Sequence, residues 1–347
     1  MRIGRFEVDR DHRPFVVAEM SGNHNQSLDR ALAIVEAAAR SGAHALKLQT
    51  YTADTMTLDL RGNGFTIDDR DSLWHGKSLY ELYQEAHTPW EWHEPIMSRS
   101  RELGMECFSS PFDESAVDFL EKLGAPCYKI ASFENTDLGL IQKAASTGKP
   151  LIISTGMASF TELDEAVRAA RAAGCRELAL LKCTSTYPAT PENSNIATIP
   201  HLRERFGCEV GLSDHTMGIG AAVAAIAFGA VLVEKHFTLR RADGGVDASF
   251  SMEPEEMSAL VRETQQAWQA IGSVRDGPTE VEKPSLHFRR SLYFSRELAA
   301  GAVLTRENVR CVRPGLGLAP KHLPEILGRK TKQAVRPGTP VSWDLLA

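Results

Sequence analysis

The 347-residue chain has no apolar stretch long enough to cross a bilayer, so no membrane partner is expected. Its first residues, MRIGRFEVDRDHRPF, lack the apolar centre of a secretory signal, and a cytoplasmic protein is expected. Positive charge is in short supply. Thirty-nine Lys and Arg against 45 Asp and Glu leave a formal net charge of −6, which offers no overall attraction to a phosphate backbone and argues against nucleic acid as partner. A local cationic pocket survives that argument. Among the six cysteines (Cys107, Cys127, Cys175, Cys183, Cys208 and Cys311) there is no CxxC pair, and three lie inside apolar runs. Reduced, buried thiols are expected rather than disulfides or a thiolate metal site. No GxGxxG follows the first apolar run, which sets aside a dinucleotide-binding sheet. There is no low-complexity tract.

What the chain does have is a period. Apolar, β-rich runs recur at 15–20, 45–50, 105–110, 127–132, 150–156, 178–185, 209–212 and 231–239, and a helical pattern follows each of them. The second run is separated from its main helix by an insertion at 51–75, rich in Asp, Thr and Gly. Near-continuous apolar strands imply burial on both faces, as in a parallel sheet. Eight strand–helix units in roughly 260 residues predict an α/β chain folded as a (β/α)₈ TIM barrel. The texture changes after Gly272. The expected organisation is a barrel over 1–273, a charged and proline-bearing linker over 274–287, and a small β-rich domain over 288–347.

A barrel of this kind carries its chemistry at the C-terminal ends of its strands. Polar groups stand at all eight: Glu19; Lys47 and Gln49; Ser109 and Ser110; Lys129, Ser132 and Glu134; Ser154 and Thr155; Thr184 and Ser185; Ser213, Asp214 and His215; Glu234, Lys235 and His236. Charge inside apolar strands needs a partner. Two lysines with several serine hydroxyls suit a phosphate or carboxylate, and a Schiff-base lysine is the rival use. Two histidines at neighbouring strand ends suit a divalent metal ion. In the stretch 23–25, Asn25 reads as a helix cap, and residues 243–247, DGGVD, read as an ordinary acidic turn. Trp90 and Trp92 read as packing residues, and the cysteines as chemically inert.

The stretches AEMSGNHNQSLDRAL, ALKLQTYTADTMTLD, SLYELYQEAHTPWEWH, FSSPFD, YKIASFE, STGMAS, LLKCTSTYPA, GLSDHT, EKHFTL and GGVDASFSMEP resemble the sialic acid synthase family, in order and along essentially the whole chain. Residues 288–347 are similar to that family's C-terminal antifreeze-like (SAF) domain. AEMSGNHNQSL and TPWEWH are most like the family's pseudaminic acid branch. Ser185 stands where the family often has asparagine.

The resemblance implies condensation of phosphoenolpyruvate with an N-acetylated amino sugar. For that branch the sugar is a 2,4-diacetamido-2,4,6-trideoxy-hexose of altrose type. A nine-carbon 2-keto sugar acid and phosphate result, with cleavage of the C–O bond. It implies a divalent metal ion (Mn²⁺, Mg²⁺ or Co²⁺) on His215 and His236. Lys47, Ser110 and Lys129 would face the carboxylate, and Lys129, Ser132, Ser154, Ser185 and Ser213 the phosphate. Glu19, Gln49, Glu134, Tyr187 and Asp247 would meet the sugar or move protons. A domain-swapped homodimer is implied, in which Arg313 reaches the other subunit's sugar. A sialic or legionaminic acid synthase, a Schiff-base aldolase, and a non-enzymatic barrel with an interaction module are the alternatives.

Overall fold

The computed structural model describes every residue except Asp71, so one residue of the expected insertion lies outside the described residues. The chain divides into two units, Met1–Gly272 and Ser273–Ala347. The first is the predicted barrel. Its strands are Phe15–Glu19, Ala45–Thr50, Glu106–Pro111, Tyr128–Ile130, Leu151–Ser154, Leu178–Cys183, Glu209–Ser213 and Leu232–His236. All neighbours run parallel, and the eighth strand closes on the first with His236 opposite Glu19.

Strand periodicity decides what fills the barrel. Successive residues alternate between the interior and the helix layer. Near the N-terminal ends the inner core holds Phe15, Val17, Ala45, Phe108, Cys127, Ile152, Ala179, Leu181 and Leu232. Two residues further along the same faces come Glu19, Lys47, Ser110, Lys129, Ser154, Cys183 and Glu234, with His236 beyond. The interior is therefore an apolar plug beneath a polar chamber. Ile3 and Val8, around the short hairpin Arg2–Ile3 with Phe6–Glu7, join the plug from below. Gly211 faces inward where there is no room: a Cβ there would lie 2.4 Å from the Leu232 carbonyl oxygen.

The helices form where small polar residues cap apolar-periodic stretches. Ser27, Asp113 and Ser159 each accept hydrogen bonds from the first turn of Leu28–Arg40, Glu114–Lys122 and Phe160–Ala172. Ser27, not Asn25, is thus the first helix's cap. Trp90 stacks on Phe119 and Trp92 packs edge-on against His24, as packing residues should.

The second unit has its own core, with Leu292, Phe294, Leu304, Val309, Ile326, Val335, Val341 and Leu346. Its strands Ser291–Phe294 and Val309–Val312 pair antiparallel. The chain around Val335 is held by isolated bridges rather than a ladder, because Pro337 and Pro340 cannot donate to one. Within the stretch read as linker, Thr279 and Glu282 make a capping box that starts the 3₁₀ helix Glu280–Phe288.

Candidate active site

At the centre of the polar chamber, four buried charges pair two against two. Lys47 Nζ lies 2.8 Å from Glu19 Oε2 and 3.7 Å from Glu234 Oε1. Lys129 Nζ lies 3.2 and 3.3 Å from the two oxygens of Glu234. Register makes this possible: Glu19 stands opposite both His236 and Lys47, and Glu234 opposite Ser213. Neutral groups complete the set. Gln49 donates to Glu19 at 2.9 Å and Ser213 to Glu234 at 3.2 Å, while Ser110 accepts from Lys47 at 3.3 Å.

Burial raises the Glu19 carboxyl to about 7, with the nearby Glu234 carboxylate adding to it against the pull of Lys47. Glu234 is opposed by burial but ends below the usual range, because Lys129 and Lys47 outweigh it. Burial would lower Lys47, yet Glu19 holds it above its ordinary value, which makes it a poor Schiff-base nucleophile.

Beside the charges is a hydroxyl cradle. Ser132 Oγ accepts from the Gly156 amide at 3.2 Å. A Cβ on Gly156 would lie 2.1 Å from Ser185 Oγ and 2.6 Å from Ser132 Oγ, so only glycine lets both hydroxyls converge there. Ser154 Oγ is buried with no hydrogen-bond partner among the described residues. Glu134, on the 3₁₀ turn Ser132–Glu134, likewise keeps a buried oxygen without a partner, and burial raises it to about 7.

The two histidines meet as expected, with ring centroids 5.4 Å apart. His215 donates from Nδ1 to the Thr184 carbonyl at 3.0 Å, and although burial would lower it, the neighbouring Cys183 holds it above its ordinary value. His236 Nδ1 is buried without a hydrogen-bond partner and lies 3.7 Å from Asp247 Oδ2. Burial and the nearby His215 hold His236 far below its ordinary value, so its ring is neutral. A divalent ion fits this donor set. No third His, Cys, Asp or Glu closes the set among the described residues, so positions would stay open for substrate or water.

Over the histidines sit aromatic rings: Tyr187 is 4.5 Å from His215, and Phe250 is 4.9 Å from His236 and 5.3 Å from Tyr187. Phe250 was not singled out in the sequence. Nor was Cys183, read as inert. It is buried beside His215, and the imidazole draws its thiol down to about 7 despite burial. Lys235 faces the other way, as its odd spacing from His236 dictates. It bonds Asp214 at 2.7 Å and the Thr216 carbonyl at 2.6 Å, fixing the loop that carries His215. Arg313 belongs to the second unit and is exposed on the loop after Val309–Val312.

Chain and fold find their counterparts in one enzyme family. The NeuB family model matches residues 34–276, and the SAF domain model matches residues 289–347. The chain belongs to the NeuB family. Pseudaminic acid synthase of Helicobacter pylori is 43% identical over 333 residues, 95% of this chain and 97% of its own length. Pseudaminic acid synthase of Campylobacter jejuni is 41% identical over 341 residues, 97% of each chain. Among solved structures, N-acetylneuraminic acid synthetase of Leptospira borgpetersenii covers 83% of this chain and 95% of its own, at 28% identity and a TM-score of 0.73.

Proposed function

We propose that this chain is a pseudaminic acid synthase. It condenses phosphoenolpyruvate with a 2,4-diacetamido-2,4,6-trideoxy-hexose to give a nine-carbon 2-keto sugar acid and phosphate. The observation that carries the reading is two buried lysines standing beside a serine cradle and two imidazoles. Lys47, Lys129 and Ser110 are arranged for a carboxylate, and Ser132, Ser154, Ser185, Ser213 and the Gly156 region for a phosphate. Identity above 40% to two pseudaminic acid synthases supports the choice of sugar.

In this reading C3 of the enol attacks the sugar aldehyde, and positive charge develops at C2. Glu234 and Glu19, fixed and desolvated in the chamber, stabilise that charge without reorganising. Water then adds to C2, and the C–O bond to phosphate breaks. Glu19 and Glu134, both raised to about 7, are poised to take or give the protons of those steps. Gln49 holds Glu19 in place, and Tyr187 and Asp247 border the space left for the sugar. His215 and His236 would hold a divalent metal ion, which when bound polarises a carbonyl oxygen and orients water.

The assembly we propose is a homodimer in which Arg313 completes the other subunit's site. Phe133, Met157 and Met217, on loops after the fourth, fifth and seventh strands, are 61%, 65% and 50% exposed, an apolar rim suited to a docking partner. Free thiols at all six cysteines suit a reducing compartment, and the reading is cytoplasmic. No helix among the described residues is long and apolar enough to cross a membrane.

The test is phosphate release from phosphoenolpyruvate across a panel of N-acetylated amino sugars. Release that depends on the altrose-type diacetamido sugar is expected. Release without any sugar, or none with the whole panel, would sink the proposal.

A further inference from the structure

Residues 243–247 read in the sequence as a free acidic turn, and the structure makes them a clasped loop. Asp243 pairs with Arg30 at 2.9 Å. Asn25 donates to the Gly244 carbonyl at 3.2 Å, and Trp74 Nε1 donates to the Val246 carbonyl at 3.0 Å. Ser21 Oγ donates to Asp247 Oδ2. Gly245 sits at φ +131°, and a Cβ there would lie 2.5 Å from Asn25 Oδ1. Three elements remote in sequence thus grip five consecutive residues: the loop after the first strand, the first helix, and the insertion that follows the second strand.

The grip is obtained against backbone preference. Ser21 and Gln26 stand at φ +46° and +54°, a region that glycine enters freely and other residues rarely do. Each has a side chain that glycine lacks, and each uses it. Ser21 reaches the buried Asp247 carboxylate. Gln26 donates to the Glu85 and His87 carbonyls at 2.8 and 3.0 Å, at the C-terminal end of the helix Leu79–Ala86 that follows the insertion. Strain retained where both side chains make a long-range bond points to a function for those bonds.

We propose that Ser21 and Trp74 are positioning residues for the sugar. Acting through the 243–247 loop, they hold the Asp247 carboxylate beside His236 and keep the insertion closed along the Tyr187 side, where the Trp74 ring lies 6.3 Å from that of Tyr187. The proposal rests on the synthase reading. It assigns the insertion a task at the sugar and none at phosphoenolpyruvate.

The test uses the full-length, metal-loaded enzyme with Ser21→Gly, Ser21→Ala and Trp74→Phe, each substrate varied in turn. Glycine removes the hydroxyl and relieves the backbone, so a purely structural serine would be replaced by glycine without kinetic cost. We expect instead that both Ser21 variants raise KM for the sugar about tenfold while KM for phosphoenolpyruvate stays within about twofold. Trp74→Phe keeps a ring and loses the N–H, and should move the same constant by about three- to fivefold. Wild-type sugar kinetics in Ser21→Gly and Trp74→Phe would overturn the proposal, and so would equal losses for both substrates. Amide hydrogen exchange at 243–248 in the substrate-free enzyme gives a readout that needs no turnover. Exchange at least tenfold faster in Ser21→Gly and Trp74→Phe supports the clasp, and unchanged exchange overturns it. If the wild-type chain released no phosphate with any sugar, the synthase reading would fail, and exchange alone would decide whether the clasp exists.

Discussion

Replacing Lys129 by methionine separates two jobs that one side chain performs. The ammonium is 2% exposed and lies 3.2 and 3.3 Å from both oxygens of Glu234, itself 5% exposed. Breaking a buried ion pair from one side costs about 3–5 kcal/mol, since the remaining charge is left without its counter-ion. Here the low end applies, because Glu234 keeps Lys47 at 3.7 Å and the Ser213 hydroxyl at 3.2 Å. About 3 kcal/mol, at the low end of roughly 2–4 °C per kcal/mol because this domain is larger than those that range describes, lowers the melting temperature by on the order of 6 °C. The double variant Lys129→Met/Glu234→Gln removes the stranded charge and should regain most of that loss. Its KM for phosphoenolpyruvate should nevertheless stay about ten- to a hundredfold above that of Glu234→Gln alone, the equivalent of a lost charge-assisted contact. Thermal melts and a phosphate-release assay on the three variants measure both. A double variant that regained substrate affinity together with stability would show that Lys129 serves only to neutralise Glu234, and the assignment to the substrate would be wrong.

Removal of one imidazole should abolish metal binding: His236→Ala is expected to retain its fold, to lose turnover, and to give no bound-Mn²⁺ signal in paramagnetic resonance at concentrations that load the wild type. Full turnover after chelation would refute the metal assignment. Glu134 has its folded pKa raised from 4.5 to about 7 by burial, so the folded state holds the extra proton between those values, and stability falls as pH rises through that window. Glu134→Gln should therefore melt above the wild type at pH 8, by the equivalent of about 1–2 kcal/mol after allowance for partial exposure, and level with it at pH 4. A constant difference across that range would contradict the assigned shift. Mixing His236→Ala with Arg313→Ala after subunit exchange should restore about half of wild-type activity per dimer, because one barrel regains both groups. No recovery, with exchange verified by mass, would mean that each chain completes its own site.

The barrel was legible because eight apolar strands with polar ends leave few other ways to bury both faces. Lys47, Lys129, His215 and His236 were legible for the same reason: a charge or imidazole ending an apolar run has to point into the chamber. Glu234 could have been ranked with them, since it stands two residues before His236 and shares its face. Lys235 looked equivalent in the sequence and is turned outward by the same alternation. Trp74, Phe250 and Ser21 were beyond reach. They belong to loops whose partners lie tens to hundreds of residues away, and no period connects Trp74 to Val246 or Ser21 to Asp247. The acidic turn itself was visible, but its burial was not, because burial there depends on which loops fold across it.

The two-against-two pairing of lysines and glutamates in the chamber has a consequence for affinity. A cation already matched to an internal carboxylate is not waiting for a ligand. An incoming carboxylate or phosphate has to compete for Lys129 with Glu234 and for Lys47 with Glu19. Binding is then an exchange of counter-ions, and its free energy is a difference between two similar contacts rather than the full strength of either. Weakening the internal competitor should tighten the hold on the substrate: Glu234→Gln is expected to bind phosphoenolpyruvate more strongly than the wild type even as it loses the charge that stabilises C2. Grip on the ground state and speed of turnover thus pull in opposite directions at Glu234.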